Sequence, residues 1–148
     1  MTRSEKGYTI VELLVVVSMT MTIMGISVYN LRNLERPLKT GSAQLGGFFK
    51  QARSKAIATT SAYRVYAISN SQVATTYGVN CDNATTTFDS DLTYNLPTEL
   101  EFTSTAWEVC FSARGIANDN ITVTMEDKEG NTSTVEVFLG GAVRIDEV

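Results

Sequence analysis

The chain has 148 residues, with 12 lysines and arginines against 16 aspartates and glutamates, a net charge of −4 and no histidine. An acidic balance opposes an extensive nucleic-acid-binding face, and the absence of histidine removes the commonest general base. Two cysteines without histidine cannot supply the four ligands of a structural zinc site, and the length admits one ordinary domain beside an N-terminal segment set apart by its composition.

Residues 1–7 form a short polar leader that carries Arg3, Glu5 and Lys6 and ends at Gly7. Residues 13–31 then contain no charged side chain. As a helix, 19 such residues rise about 28 Å, close to the thickness of a bilayer's hydrocarbon core, so membrane residence is the first expectation. Glu12, at the start of this run, is the difficulty, because a carboxylate in the apolar layer costs on the order of 2.5–3.5 kcal/mol. The run is too long for the apolar core of a cleaved secretory signal. An ordinary single-span anchor has the right length but no use for the acid. A cut after Gly7 would give it one: the new α-amino group would be that of Tyr8, and Glu12 would lie four positions on. At that spacing the two groups share a helix face, and in a helical assembly the same carboxylate could meet the amine of an adjacent subunit. Either pairing neutralises the charge.

MTRSEKG followed by YTIVELLVVVSM resembles the class III signal and N-terminal helix of type IV pilins and type II secretion pseudopilins. The matching residues are Gly7 before the cut, Thr9 beside the new terminus, Glu12 at the fifth mature position and the apolar run beyond. The resemblance implies that a prepilin peptidase cuts after Gly7 and methylates the amine of Tyr8. It implies a single-pass protein of the inner (cytoplasmic) membrane whose globular part is extracytoplasmic and which then enters a pilus or pseudopilus. The implied partners are other pilin or pseudopilin subunits, met through the N-terminal helix, and an inner-membrane assembly platform. Tyr8 stands where the family commonly has phenylalanine, a departure that bears on methylation alone.

Beyond Arg32 the sequence becomes mixed. Leu38, Leu45, Phe48, Phe49, Ala52 and Ala56 recur at helical spacing and predict one apolar stripe, with Lys39, Lys50, Arg53 and Lys55 mostly to its sides. Pro37 is expected to remove a helical hydrogen bond, and Gly46 and Gly47 each to weaken the helix by about 1 kcal/mol. The run Ala52-Arg53-Ser54-Lys55-Ala56-Ile57 resembles the end of the long helix in GspH/FimT-type minor pseudopilins. The small residues Ala52 and Ala56 suit close approach of a sheet, and nothing catalytic follows from Arg53 or Ser54.

From Ala62 onward the period falls to 2 and predicts strands. Residues 62–69 and 72–79 read as a hairpin turning at Asn70-Ser71, and 80–91 as an exposed loop carrying Cys81. Residues 92–96 and 100–103 flank Pro97 and are expected to be short or at an edge. Trp107, Val109 and Phe111 mark a half-buried strand. Residues 121–126 and 132–139 predict a hairpin about the polar turn 128–131, and 142–145 a last short strand after Gly140-Gly141. Phe111 with Gly115, the strand around Val123, and the final Gly-x-Val-Arg-Ile again resemble GspH/FimT-type domains.

Four groups of residues are candidates for chemistry. Cys81 and Cys110 can pair in an oxidising compartment, closing a loop of about 30 residues worth roughly 3.5 kcal/mol; the alternative is two free thiols, with Cys110 buried in a strand. Arg144 matches one position of the basic tail with which DNA-binding FimT-type pilins contact phosphate. Ala142 replaces a second arginine and Asp146 and Glu147 follow, so nucleic acid is disfavoured as a partner. Asp82, Asp89 and Asp91 lack the spacing of an EF-hand loop and read as a solvated acidic loop. No metal or other cofactor is expected, and no enzymatic activity, since no nucleophile or acid–base set is recognisable.

The sequence therefore reads as α+β and pilin-like, a long N-terminal helix packed on a small antiparallel β-sheet domain, the N-terminal half of that helix being transmembrane. Residues 1–7 are the leader, 8–31 the transmembrane and assembly helix, 32–60 its amphipathic continuation and 61–148 the β-rich domain. The expected function is that of a minor pilin or pseudopilin acting in fibre initiation and assembly. The alternatives are a DNA-binding minor pilin of an uptake pilus and a generic single-span anchored domain.

Overall fold

A computed structural model of the protein describes residues 9–32, 37–82 and 86–147, with side chains for all of these but 26–32 and 147. The chain divides into two compact units between Glu35 and Arg36.

The first unit is helix α1, Ile10–Arg32. Thr9 starts it: its hydroxyl oxygen accepts the Glu12 backbone N–H at 3.2 Å, in the Thr-x-x-Glu pattern that satisfies free donors at a helix start. Apolar side chains lie all round α1 rather than along one stripe. Among the described residues no helix is long and apolar enough to cross a membrane. The described side chains of α1 stop at Gly25; in sequence the uncharged run continues to Leu31.

The second unit is built on helix α2, Pro37–Thr59. Pro37 is its first residue, a position where the missing N–H costs nothing and the fixed φ favours the helix, so the expected lost hydrogen bond does not arise. The predicted stripe is buried: Leu45, Phe49, Ala52 and Ala56 are fully enclosed and Phe48 nearly so. The helix ends with Thr60 at φ 51, and Ser61 donates to the Ala56 carbonyl at 3.2 Å, closing the last turn.

The strands form the expected small antiparallel β-domain, arranged as two sheets. The first has the order β3-β2-β1-β6, with β4 also on β2: β1 is Ala62–Ser69, β2 Gln72–Gly78, β3 Thr87–Phe88, β4 Tyr94–Asn95 and β6 Glu108–Phe111. The second runs β5-β7-β8-β9: Leu100–Phe102, Ile121–Asp127, Thr132–Val137 and Val143–Glu147. Alternation delivers Val65, Val73, Val109, Val123, Met125, Val135 and Val137 to one core shared with α2. Strand β3 lies within the expected loop, and β8 ends at Val137 instead of Leu139. Phe138 there accepts the Gly141 N–H and donates to the Ala142 carbonyl in a tight turn, leaving Leu139 half-exposed.

Gly46 and Gly47 are adjacent yet physically unlike. A Cβ on Gly46 would lie 3.0 Å from Ile145 Cδ1 and 3.7 Å from Val143 Cγ1, so β9 seats on the bare backbone; a Cβ on Gly47 would meet nothing within 4 Å. Gly46→Val is therefore expected to cost about 1–3 kcal/mol through overpacking, while Gly47→Ala gains about 1 kcal/mol in helix propensity. Denaturant unfolding of the two variants should give shifts of opposite sign.

Candidate functional site

Glu12 lies in the first turn of α1 and is exposed there, among Ile10, Val11, Leu13 and Leu14, each more than 60 % exposed. The other described polar side chains of α1 are handled differently. The hydroxyls of Ser18 and Thr20 donate to the Val15 and Val17 carbonyls at 2.9 Å, and Thr22 to Met19 at 2.8 Å and Ser18 at 3.2 Å. Each hydroxyl hydrogen is spent inside the helix, which is what an apolar surrounding requires of it. Sequence reading missed this, although hydroxyl residues at positions i and i+2 within an apolar run were the available signal. Glu12 is left as the one charge on the described α1 side chains. The expected cut between Gly7 and Tyr8 lies outside the described residues, and so does any pairing of Glu12 with that terminus.

In the second unit the two cysteines are joined: Cys81 and Cys110 form a disulfide with Cα atoms 5.7 Å apart. Arg64, on β1 opposite Cys110, reinforces the closure by donating from Nη2 to the Cys81 carbonyl at 2.6 Å. Asp89, expected to be a solvated loop residue, is instead buried. Its carboxylate takes the Lys55 ammonium at 2.5 Å and the Asp91 N–H at 3.1 Å, binding the loop to the last turns of α2. Among the described residues no three candidate ligands gather to hold a metal ion.

Arg144 does not offer a free cation. Its Nη2 lies 2.9 Å from Glu136 and 2.8 Å from Asp146, and its guanidinium rests over the Phe138 ring, 5.7 Å from the centroid. A phosphate would have to compete with two carboxylates already in place.

Arg53 has a role that sequence reading did not find. Its Nε donates to the Gly115 carbonyl at 2.9 Å, and it crosses so closely over Gly141 that a Cβ there would lie 2.6 Å from Nε. Gly115 and Gly141 have φ of +73° and +74°, and a Cβ on Gly141 would also meet the Gly115 carbonyl oxygen. Backbone conformation and lack of space both require glycine at this junction of two turns with α2.

Three consequences can be measured. Replacing both cysteines by serine should cost about 3.5 kcal/mol in denaturant unfolding, an effect absent under reducing conditions. Burial pushes the Tyr94 phenol from 10.0 up to about 12, and the hydrogen bond to Asp89 raises Lys55 above its ordinary 10.5. Both groups bind protons more tightly in the folded state. Their stabilisation is complete below about pH 10 and is lost as pH rises through the folded values. Stability should therefore fall through the alkaline range, and Tyr94→Phe should flatten that decline.

No protein-family model and no curated protein matches the chain. Solved structures do match it. The minor pseudopilin EpsH from the Type 2 Secretion System of Vibrio cholerae aligns with a TM-score of 0.58 at 11 % identity, over 74 % of this chain and 96 % of that one. The type IV minor pilin FimU of Pseudomonas aeruginosa PAO1 aligns in two crystal forms. In space group P65 the TM-score is 0.56 at 17 % identity, covering 74 % of this chain and 92 % of FimU; in P21 it is 0.57 at 16 %, covering 80 % and 92 %. The chain thus has a pilin-like α+β fold of the kind found in minor pseudopilins and minor pilins.

Proposed function

We propose that the protein is a minor pilin or pseudopilin, a structural subunit of a type IV pilus or a type II secretion pseudopilus that acts in fibre initiation and assembly. The observation that carries this reading is α1: an apolar helix in which the hydroxyls of Ser18, Thr20 and Thr22 are internally bonded and one carboxylate stands in the first turn, N-terminal in sequence to a domain of the minor-pilin fold.

In this reading the prepilin peptidase cuts after Gly7 and the amine of Tyr8 becomes the new terminus. The uncharged run of residues 13–31 holds the subunit in the inner membrane until the assembly platform extrudes it. Glu12 then pairs with the terminal amine of a neighbouring subunit, which repays the cost of an apolar surrounding and sets axial register. A subunit at the extreme tip has no neighbour above it, so the acid fits a place below the cap. The DNA-uptake alternative loses support from the ion pairs that neutralise Arg144.

Mass spectrometry of the protein from its producing cell is expected to find a methylated Tyr8 as the first residue; an intact Met1 would sink the reading. Glu12→Ala should enter fibres at least tenfold less well while leaving the Cys81–Cys110 domain folded, as judged by its disulfide and unfolding transition. Normal incorporation of that variant would show that register is set elsewhere.

A further inference from the structure

The two sheets have open edges of very different kinds. On β6, the backbone N–H of Cys110 donates to the Asn118 side chain at 2.7 Å and its carbonyl accepts the Asn118 N–H at 2.9 Å. On β5, Phe102 donates to the Asn70 carbonyl at 2.7 Å, tying that edge to the β1–β2 turn. Strands β3 and β4, beside β2, have only two residues each. The remaining edge is β9, with five residues.

Which of its groups are free follows from the register. Phe138 donates to the Ala142 carbonyl at 2.9 Å, and the pairs Val137↔Val143, Glu136↔Arg144, Val135↔Ile145 and Thr134↔Asp146 follow in order. Hydrogen-bonded and non-hydrogen-bonded pairs alternate in an antiparallel ladder. Arg144 and Asp146 therefore spend their backbone groups on β8, whereas Val143, Ile145 and Glu147 point theirs outward. No described residue meets them.

The side chains state what could pair there. Val143 and Ile145 turn to Gly46 on α2, so an added strand would extend an apolar face on that side. On the opposite face Arg144 and Asp146 of β9 lie with Glu136 of β8, one cation against two carboxylates, so that the sheet face bordering the edge is net negative. Charges on an edge strand discourage indiscriminate pairing; here they also fix the sign of a strand that fits. We propose that β9 is a docking edge that accepts an extended partner segment, apolar on the α2 side and basic on the other, by addition of a strand to the second sheet.

The test uses the full chain in detergent micelles and a capped peptide alternating valine and lysine as the probe. Backbone amide exchange at Val143, Ile145 and Glu147 should slow at least tenfold on saturation, while Arg144 and Asp146, already bonded to β8, change little. A peptide with glutamate for lysine should protect at least tenfold less, and Asp146→Lys should weaken the lysine peptide by tenfold or more. Three results overturn the proposal: no protection of those three amides at millimolar peptide, equal protection by the acidic peptide, or protection without peptide through pairing of two copies of the chain.

Discussion

The structure of the second unit depends on the apolar face of α2 being shared by two sheets. Leu45, Phe48, Phe49, Ala52 and Ala56 pack in one core with residues of both, and the helix contacts β1 and β6 of one sheet and β5, β7, β8 and β9 of the other. The size of each residue decides what it admits. Phe49 meets Trp107 edge-on at 5.9 Å, and Trp107 in turn meets Phe102 of β5 at 5.5 Å, so aromatic bulk links the helix to the second sheet. Where β9 comes closest, Gly46 supplies the opposite, and Ile145 lies on helix backbone. Small and large positions alternate along one stripe, and two sheets are fitted to a single rod.

Polar contacts then fix the ends of that packing. Lys55 and Arg53 leave α2 within one turn of each other and reach different loops: Lys55 takes buried Asp89, before β4, and Arg53 takes the carbonyl of Gly115, after β6. Each ties down a segment with little apolar surface to bury. The disulfide does the same for Cys81, whose loop would otherwise leave the first sheet after β2. Three connections that apolar packing does not hold are thus secured by one ion pair, one charge-assisted hydrogen bond and one covalent bond.

What the sequence made legible is what repeats. The α2 stripe, the β1–β2 and β7–β8 hairpins and the strand at Val109 follow from periods of 3.6 and 2, and the structure has them nearly as expected. The disulfide was open in sequence, because two cysteines fix their pairing only if the fold brings them together. The rest depended on partners distant in the chain. Gly46 looks like a helix weakness until Ile145, nearly a hundred residues later, is seen to need its space; Arg53 looks like a solvated cation until Gly115 and Gly141 arrive beneath it. Leu139 was misplaced for a local reason. Its alternation continues the β8 pattern, but the turn from Phe138 to Ala142 takes over two residues earlier. Two-residue strands such as β3 carry no period, and the division into two sheets is set by crossing connections rather than composition.

Helix α1 obeys a different constraint, and its sequence is more transparent for that reason. A helix with apolar side chains on all sides has no inward face, so each polar group must be satisfied within the helix or by whatever surrounds it. Ser18, Thr20 and Thr22 take the first course through carbonyls three or four residues back, and Thr9 receives the Glu12 N–H. The Glu12 carboxylate is different in kind. It can only accept hydrogen bonds while ionised, and the backbone donors at the start of α1 are few and already partly committed to Thr9. In water it needs no partner; in lipid or in a core of packed helices it needs a cation. One acid at the head of a long apolar helix therefore distinguishes between environments, being tolerable where water reaches it and costly wherever it is enclosed without a positive charge. Under the function proposed above, that difference makes burial of the helix favourable only beside a correctly placed neighbour.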